Sequence, residues 1–213
     1  PIIGVDLVRT SADEFYVLED NCRTPSGVSY MLENREIMMR MFPDLFKANR
    51  VSPIDDYPTR LLQTFMSLAP PKCENPEPTV VLLTPGPMNS AYYEHSFLSD
   101  QMGIEMVQAE DLFVDGEFLH MKTVSGPKRV DIVYRRIDDN FLDPLSFNPE
   151  SLIGVPGIMN VYRTGGVTIL SAPGSGIADD KAIYVYVPEM IRFYLGQEPI
   201  LDNVETWKCE DAS

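Results

Sequence analysis

Residues 79–107 read TVVLLTPGPMNSAYYEHSFLSDQMGIEMV, and this stretch decides the fold class. The apolar run at 79–83 predicts a buried strand, and the Gly- and Pro-rich loop after it leads into a predicted helix at 90–102. A second apolar run at 104–107 predicts the next strand. Strand, helix and strand in this order predict a βαβ unit whose two strands run parallel.

The alternation continues toward the C-terminus. The predicted elements are a hairpin over 112–123 with Asp115-Gly116 at its turn, strands at 130–137 and 167–171, and helices at 149–164 and 178–195. Pro188 predicts a kink or break in the last helix. The predicted class is therefore α/β with a mainly parallel sheet, and ligands of such sheets bind at the carboxyl ends of the strands.

Upstream of this region the pattern changes. Residues 2–9 and 15–21 predict two strands around the polar turn 11–14, and helices are predicted at 31–42 and 57–68. The methionines of the first helix are expected to pack into the core, because flexible thioethers fill irregular gaps. A Pro-rich run at 69–78 predicts a linker or surface crossing.

The overall charge excludes some partners. The 17 basic and 32 acidic side chains give a net charge of −15. A field of this sign repels phosphate backbones and anionic lipid, so neither nucleic acid nor membrane is an expected partner. Recruitment of a divalent cation would suit this charge, but so would simple solubility. No run of about 18 apolar residues is present, so no membrane-spanning helix is predicted.

The cysteines and histidines restrict the possible metal sites. Three widely spaced cysteines, Cys22, Cys73 and Cys209, fit neither a disulfide framework nor a zinc pattern and predict a reducing, cytoplasmic setting. Only two histidines, His95 and His120, are present, so a His-rich metal site is excluded. Any metal is expected to be held by oxygen ligands.

The first two predicted strands carry such oxygen ligands. If the turn is symmetric about Ala12 and Asp13, Asp6 faces Glu19 across the hairpin, and Asn21 returns to the same sheet face as Glu19. Two opposed carboxylates repel unless a cation lies between them, which suggests a Mg²⁺ site. The alternative is an ordinary exposed hairpin with solvated acids, since a loop of odd length would destroy this facing.

The same hairpin resembles a known superfamily. The runs GVDL at 4–7 and YVLEDNCRTPSG at 16–27 resemble the metal-binding end of ATP-grasp ligases. The resemblance implies that Asp6, Glu19 and Asn21 bind the Mg²⁺ ions that carry the ATP phosphates. It also implies that Arg23 presents a cation to phosphate or acyl phosphate.

The order of the parts is similar to that of the circularly permuted ATP-grasp family, which is related to glutathionylspermidine synthase. The runs that carry this resemblance are LLTPGPMNSAYYEH at 82–95, DIVYRRIDDNFLDPL at 131–145 and SGIADDKAIYVYVPEMIRFYLGQEPIL at 175–201. It implies four parts: the end of an ATP-grasp catalytic domain at 1–70, a linker at 71–78, a Rossmann-like pre-ATP-grasp domain at 79–200, and at 201–213 the start of a connection to a nucleotide-binding subdomain.

Two loops could bind an anion. Gly86, Asn89 and Ser90 lie between a predicted strand and helix, where backbone N–H groups can hold a phosphate. The alternative is that Asn89 or Ser90 simply caps the helix. Gly174-Ser175-Gly176 precedes Asp180-Lys181, a pair that resembles one often found in ATP-grasp proteins; here the alternative is a helix cap by Asp179 or Asp180.

The end of the strand at 130–137 carries two adjacent arginines. Arg135 and Arg136 project to opposite faces, so at most one is expected to reach a cleft and clamp a carboxylate or phosphate. The alternative is local pairing with Asp138 or Asp139. His95, near the first loop, is expected to be structural or to join the cleft.

The resemblance implies an ATP- and Mg²⁺-dependent ligase that joins a small-molecule or peptide carboxylate to an amine through an acyl phosphate. The family's nucleotide-holding Lys and Gly-rich loop are not found after the last predicted helix. We therefore expect a partial chain that is inactive and binds neither cofactor by itself. Two alternatives are a non-catalytic binding or scaffold module and an unrelated Rossmann-like nucleotide-sugar enzyme. The substrates and the oligomeric state stay open.

Overall fold

A computed structural model describes residues 2–209 of the chain, and it divides into two compact units. The first unit contains the residues up to Pro25 together with those from Ser171 onward, and the second is Ser26–Leu170. The boundaries expected near residues 70, 78 and 200 concern the parts of a longer enzyme and stay a prediction. Pro1 and residues 210–213, the end of the expected connection, lie outside the described residues.

The elements follow in chain order. The strands are β1 (Gly4–Arg9), β2 (Phe15–Asn21), β3 (Val80–Leu83), β4 (Glu105–Val107), β5 (Leu112–Asp115), β6 (Phe118–Thr123), β7 (Gly126–Val130), β8 (Ile132–Arg135), β9 (Thr168–Leu170) and β10 (Asp202–Asn203). The helices are α1 (Val28–Met41), α2 (Pro43–Asn49), α3 (Tyr57–Met66), α4 (Tyr92–Met102), α5 (Asp139–Leu142), α6 (Ile158–Arg163), α7 (Lys181–Tyr184) and α8 (Val187–Leu195).

A four-stranded parallel sheet forms the centre of the second unit. Its strand order is β4-β3-β8-β9, and each neighbouring pair runs parallel. All four residues of β3 are buried, as expected for a strand covered on both faces. On one side Phe65 of α3 packs against Tyr134 of β8, with 4.9 Å between the ring centroids. The mixed α/β class and the parallel sheet predicted from residues 79–107 are confirmed.

A second sheet of the same unit is antiparallel, with the order β5-β6-β7. The predicted hairpin with Asp115-Gly116 at its turn is present as β5 and β6. Strand β7 was not predicted from the sequence, in which Gly126 and Pro127 are typical strand breakers. Pro127 is accommodated because β7 is an edge strand, where a missing N–H donor costs little.

The helix predicted at 149–164 is wrong over most of its length, since α6 begins only at Ile158. The segment before it is held by Asp143, whose buried carboxylate accepts hydrogen bonds from the backbone N–H groups of Leu145, Gly157 and Met159 at 2.9 to 3.1 Å. A side chain that binds these backbone groups favours a loop over a helical ladder.

The methionines of α1 are not in the core. Met31, Met38 and Met41 are 43%, 45% and 64% exposed, and Ser29 is the only buried residue of that helix. The expected core packing of this helix is therefore wrong in the structure. Helical periodicity identified the element correctly but did not show what its apolar face contacts.

The first unit contains a three-stranded sheet of order β1-β2-β10, in which β10 pairs parallel to β2. The final helix predicted at 178–195 is divided into a 3₁₀ turn at Ser175–Asp179 and the helices α7 and α8. Pro188 lies in the first turn of α8, which confirms the predicted break. In the described part of the chain, no helix has the length and apolar character needed to cross a membrane.

Candidate functional site

The β1–β2 hairpin places two acidic residues opposite each other in its ladder. Asp6 is the Cα partner of Glu19 in the antiparallel ladder, as predicted. The assumed symmetric turn is wrong, however: Arg9 pairs with Phe15, so the loop has an odd number of residues. A register shift between Asp6 and Leu7 restores the facing. Leu7 pairs with Val17 and Asp6 with Glu19, so Leu18 is an extra residue of β2 without a partner on β1.

Asn21 lies on the same side of β2 as Glu19. Its amide Nδ2 donates a hydrogen bond of 3.3 Å to Glu19 Oε1. Asp20, between them, points to the other face, and burial raises the pKa of its carboxyl group. Two carboxylates and an amide oxygen on one face form a donor set of the kind that Mg²⁺ takes, so the residues fit the cation that the resemblance implies.

Glu19 already has a cation beside it. The Lys181 ammonium donates to Glu19 Oε2, and this hydrogen bond, followed by that of Asn21, lowers the pKa of the Glu19 carboxyl group. Among residues 2–209, no group of three or more His, Cys, Asp or Glu side chains is arranged to hold a metal ion. The candidate site therefore depends on two carboxylates and one amide, with Lys181 as the present counter-ion of Glu19.

Arg23 is positioned by Asp179, which the sequence analysis considered only as a helix cap. Asp179 Oδ1 accepts hydrogen bonds from the backbone N–H groups of Cys22 at 2.5 Å and Arg23 at 3.2 Å. Its Oδ2 lies 3.6 Å from Arg23 Nε. Gly176 makes room for the guanidinium group, since a Cβ there would lie 2.7 Å from Arg23 Nε. The same carboxylate thus fixes both the backbone and the side chain of Arg23.

Asp180 caps a helix, in agreement with the structural alternative. It is the N-cap of α7, and its Oδ1 accepts a 2.8 Å hydrogen bond from the Ala182 N–H. This cap places Lys181 at the first position of α7, from which its side chain reaches Glu19. The first unit therefore brings Asn21 and Lys181 each into direct contact with Glu19. Asp180 contributes only by capping α7, which positions Lys181.

The loop after β3 is shaped by Thr84, Gly86 and Asn89. Gly86 has a φ of 102°, a left-handed conformation that favours glycine. Thr84 Oγ1 accepts a hydrogen bond from the Gly86 N–H at 3.2 Å and lies 2.9 Å from His95 Nδ1. Asn89 Oδ1 accepts from the Ala91 N–H at 2.9 Å.

The N-cap of α4 is Ala91, so the predicted cap by Asn89 or Ser90 is wrong at that position. Asn89 instead forms a turn just before the helix. Whether the Gly86, Asn89 and Ser90 loop binds an anion stays a prediction. Burial, followed by the charge of Arg136, lowers the pKa of His95 to about 4, so its imidazole is neutral at pH 7.

Both arginines at the end of β8 are buried and have partners within the unit. Arg135 Nη2 lies 2.8 Å from Asp139 Oδ1, and its Nη1 donates to the Ile137 carbonyl at 2.7 Å. This is the local pairing that was the alternative to a substrate clamp. Arg136 Nη1 donates to the Tyr134 hydroxyl at 2.9 Å, so a role in substrate binding stays a prediction for both.

Glu94 is a buried charged residue that was not identified from the sequence. It is 1% exposed, and its Oε2 accepts hydrogen bonds from the N–H groups of Gly27 and Ser29 at 2.7 and 3.1 Å and from Ser29 Oγ at 2.9 Å. Its Oε1 lies 3.5 Å from Arg136 Nη2. The sequence signal for the burial of Glu94 is its position four residues before the apolar Leu98, since residues i and i+4 share a helix face.

Comparisons with known proteins agree with the resemblance of the hairpin. The model of the family described as circularly permuted ATP-grasp type 2 matches residues 1–213. An uncharacterized protein of Synechocystis sp. is 56% identical over 208 residues, which are 98% of this chain and 43% of that protein. An uncharacterized protein of Mycobacterium tuberculosis is 50% identical over 208 residues, which are 98% of this chain and 37% of that protein.

A more distant relative has a functional name. The Frankia alni protein called "Putative glutamate--cysteine ligase 2-3" is 38% identical over 208 residues, which are 98% of this chain and 24% of that protein. The chain thus spans less than half the length of these relatives. A match over the whole chain leaves no basis for the alternative of an unrelated nucleotide-sugar enzyme.

Proposed function

Because the chain belongs to the circularly permuted ATP-grasp type 2 family, we propose that it supplies the metal-binding carboxylates and an α/β substrate-side unit to an ATP-dependent ligase. The observation that carries this proposal is the pairing of Asp6 with Glu19, with Asn21 on the same face. Opposed carboxylates are unfavourable in a hairpin unless a cation compensates them. A cation bound by these residues would offset the repulsion and so account for the pairing of two acidic residues.

The proposed reaction joins a carboxylate to an amine. The substrate carboxylate attacks the terminal phosphorus of ATP, which releases ADP and forms an acyl phosphate. The amine then attacks the acyl carbon, inorganic phosphate leaves, and the amine loses a proton. The "Putative glutamate--cysteine ligase 2-3" name of the Frankia alni relative supports this class of reaction, with amino acids as candidate substrates.

The residues of the first unit have distinct roles in this proposal. Asp6, Glu19 and Asn21 would hold Mg²⁺, which supplies charge neutralisation for the phosphates when it is bound. Arg23, fixed by Asp179, would stabilise the anionic phosphate or acyl phosphate. Because Asp179 holds both the backbone and the guanidinium group, this cation needs little reorganisation to act.

The second unit is the proposed substrate side. The loop with Gly86, Asn89 and Ser90 follows β3, and Arg136 follows β8, so both lie at the carboxyl edge of the parallel sheet. This is the edge where open α/β sheets bind ligands. Arg135 and Arg136 would have to exchange their present partners for a substrate carboxylate, or act by shaping the edge.

The test measures phosphate release from ATP by a full-length protein that carries this sequence, with pairs of amino acids as carboxylate and amine donors. Glu19→Gln is expected to lower phosphate release at least about 100-fold, since a carboxylate ligand of the metal is lost. Asp13→Asn is the matched control, because it removes one negative charge from the exposed turn of the same hairpin. Equal activity of Glu19→Gln and the parent protein would refute the metal role.

A non-catalytic module is the second candidate. The observation that favours it is that Lys181 already neutralises Glu19, so the hairpin has a structural counter-ion without any metal. Under this candidate no amino-acid pair stimulates phosphate release, and Mg-ATP does not raise the melting temperature of the full-length protein. Either a stimulated release or a shift of melting would favour the ligase.

A further inference from the structure

The chain segment that carries Lys181 is fastened to β2 at both of its ends. Ser175 Oγ donates a hydrogen bond of 3.0 Å to the Cys22 carbonyl at the end of the hairpin. The Tyr184 hydroxyl donates to the Val17 carbonyl within β2 at 2.5 Å. Lys181 lies between these two anchors, so the path of the backbone directs it toward the strand.

The Lys181 side chain itself is only lightly constrained. It is 54% exposed, and beyond its contact with Glu19 its Nζ lies 5.6 Å from the centre of the Tyr184 ring. The ring face offers an ammonium group a second favourable position. The backbone is thus fixed while the ammonium group can leave the carboxylate at small cost.

We propose that Lys181 competes with a divalent cation for Glu19 and thereby sets the affinity of the site. This inference rests on the proposed function, because it concerns the same carboxylate pair. The ammonium group occupies Glu19 Oε2, one of the two carboxylate oxygens that could bind a metal, and it adds a positive charge that repels a divalent ion. Cation binding therefore displaces Lys181 from Glu19.

The competition explains how the hairpin folds without metal. Asp6 faces Glu19 across the strands, and without a positive charge these carboxylates would repel. Lys181 removes part of this repulsion in the metal-free chain. The same contact weakens metal binding, so the chain gains metal-free stability at the expense of affinity.

The test is direct binding of Mn²⁺ to a full-length protein that carries this sequence, with electron paramagnetic resonance used to measure the free ion. Lys181→Met is expected to bind Mn²⁺ about tenfold more tightly than the parent chain, the effect of removing one nearby charge in a partly screened site. Lys128→Met is the matched control for net charge. Lys128 is an exposed lysine of β7, in the other compact unit, so this change removes the same charge and is expected to alter affinity by less than about twofold.

A second pair of variants assigns the binding to the hairpin. Glu19→Gln and Asp6→Asn are each expected to abolish the tight Mn²⁺ site in the Lys181→Met background. Circular dichroism confirms that each variant is folded, and Lys181→Gln replaces Lys181→Met if the latter does not fold.

The outcomes separate this inference from the proposed function. Binding that requires Glu19 but is equal or weaker in Lys181→Met overturns the competition and leaves the metal site standing. Mn²⁺ binding that none of the hairpin variants changes, or no binding at all, refutes the metal site and the competition with it. Tighter binding in both Lys181→Met and Lys128→Met would also overturn the inference, because it would show an effect of net charge alone.

Discussion

Asp6 faces Glu19 because the β1–β2 ladder changes register beside this pair. From Arg9 to Leu7 the pairing with β2 is the regular one for a hairpin loop of odd length. The register shift between Leu7 and Asp6 then places Glu19 opposite Asp6. A regular ladder with the same loop would place Leu18 opposite Asp6. A single skipped residue therefore decides whether the hairpin presents one carboxylate or two on this face.

The first prediction follows from this facing. Asp6→Asn is expected to raise the urea midpoint of the metal-free chain at pH 7, because it removes the like charge opposite Glu19. The effect is measured by urea unfolding in the presence of EDTA, with circular dichroism as the probe. Asp13→Asn, in the exposed turn, is the control for net charge, and a larger gain in that control would contradict the pairwise explanation.

The second prediction concerns the buried carboxylate of Glu94. Glu94→Gln is expected to lower the free energy of unfolding by about 3 kcal/mol, because a buried ion pair with Arg136 loses one charge. Urea unfolding gives the value. Ser29→Ala removes only one of the hydrogen bonds to the same carboxylate and should cost about 1 kcal/mol.

Glu105→Gln is the control for the Glu94 change. Glu105 is exposed on β4, so its substitution should alter the free energy of unfolding by less than about 0.5 kcal/mol. A cost for Glu94→Gln that matches this control would show that the buried network contributes little to stability.

The third prediction is a pH dependence of stability. Burial, followed by the charge of Arg136, lowers the pKa of His95 from 6.5 to about 4. The unfolded chain therefore binds a proton near pH 6.5 that the folded chain does not accept until near pH 4. Stability is fully present above the unfolded pKa and falls as the pH is lowered, by about 2 kcal/mol between pH 7 and pH 5.

Urea unfolding at both pH values checks this dependence, with His95→Gln as the comparison. The variant should be less stable at pH 7 because it loses the packed imidazole, but its change between the two pH values should be smaller by about 2 kcal/mol. The same slope in His95→Gln and in the parent chain would assign the pH dependence to other groups.

The fourth prediction tests the close approach at Gly154. A Cβ at this position would lie 2.0 Å from the Phe141 carbonyl oxygen, and backbone atoms cannot yield as a side chain can. Gly154→Ala is expected to cost about 3 kcal/mol of unfolding free energy. Gly116→Ala is the control: its φ of 59° is left-handed, but a Cβ there would meet no atom within 4 Å among residues 2–209 other than those of its chain neighbours, so about 1 kcal/mol is expected. Equal costs would contradict the steric explanation.

Much of the fold was predictable from local pattern. The apolar runs of residues 79–107 identified β3, α4 and β4, and the strand order in the chain implied parallel pairing. The predictions were wrong where one side chain organises a segment, as Asp143 does before α6, or where an edge position tolerates a residue such as Pro127. Periodicity carries no information about such contacts.

The sequence by itself determined that Glu19 and Asn21 share one face of a strand, because side chains alternate with a period of two. It also determined that Asp6 lies on the neighbouring strand. Only the tertiary structure decided that Lys181, 162 residues away, neutralises Glu19 and that Asp179 holds Arg23. These pairs form because the chain path returns to β2, and a contact between distant residues leaves no periodic trace in the sequence.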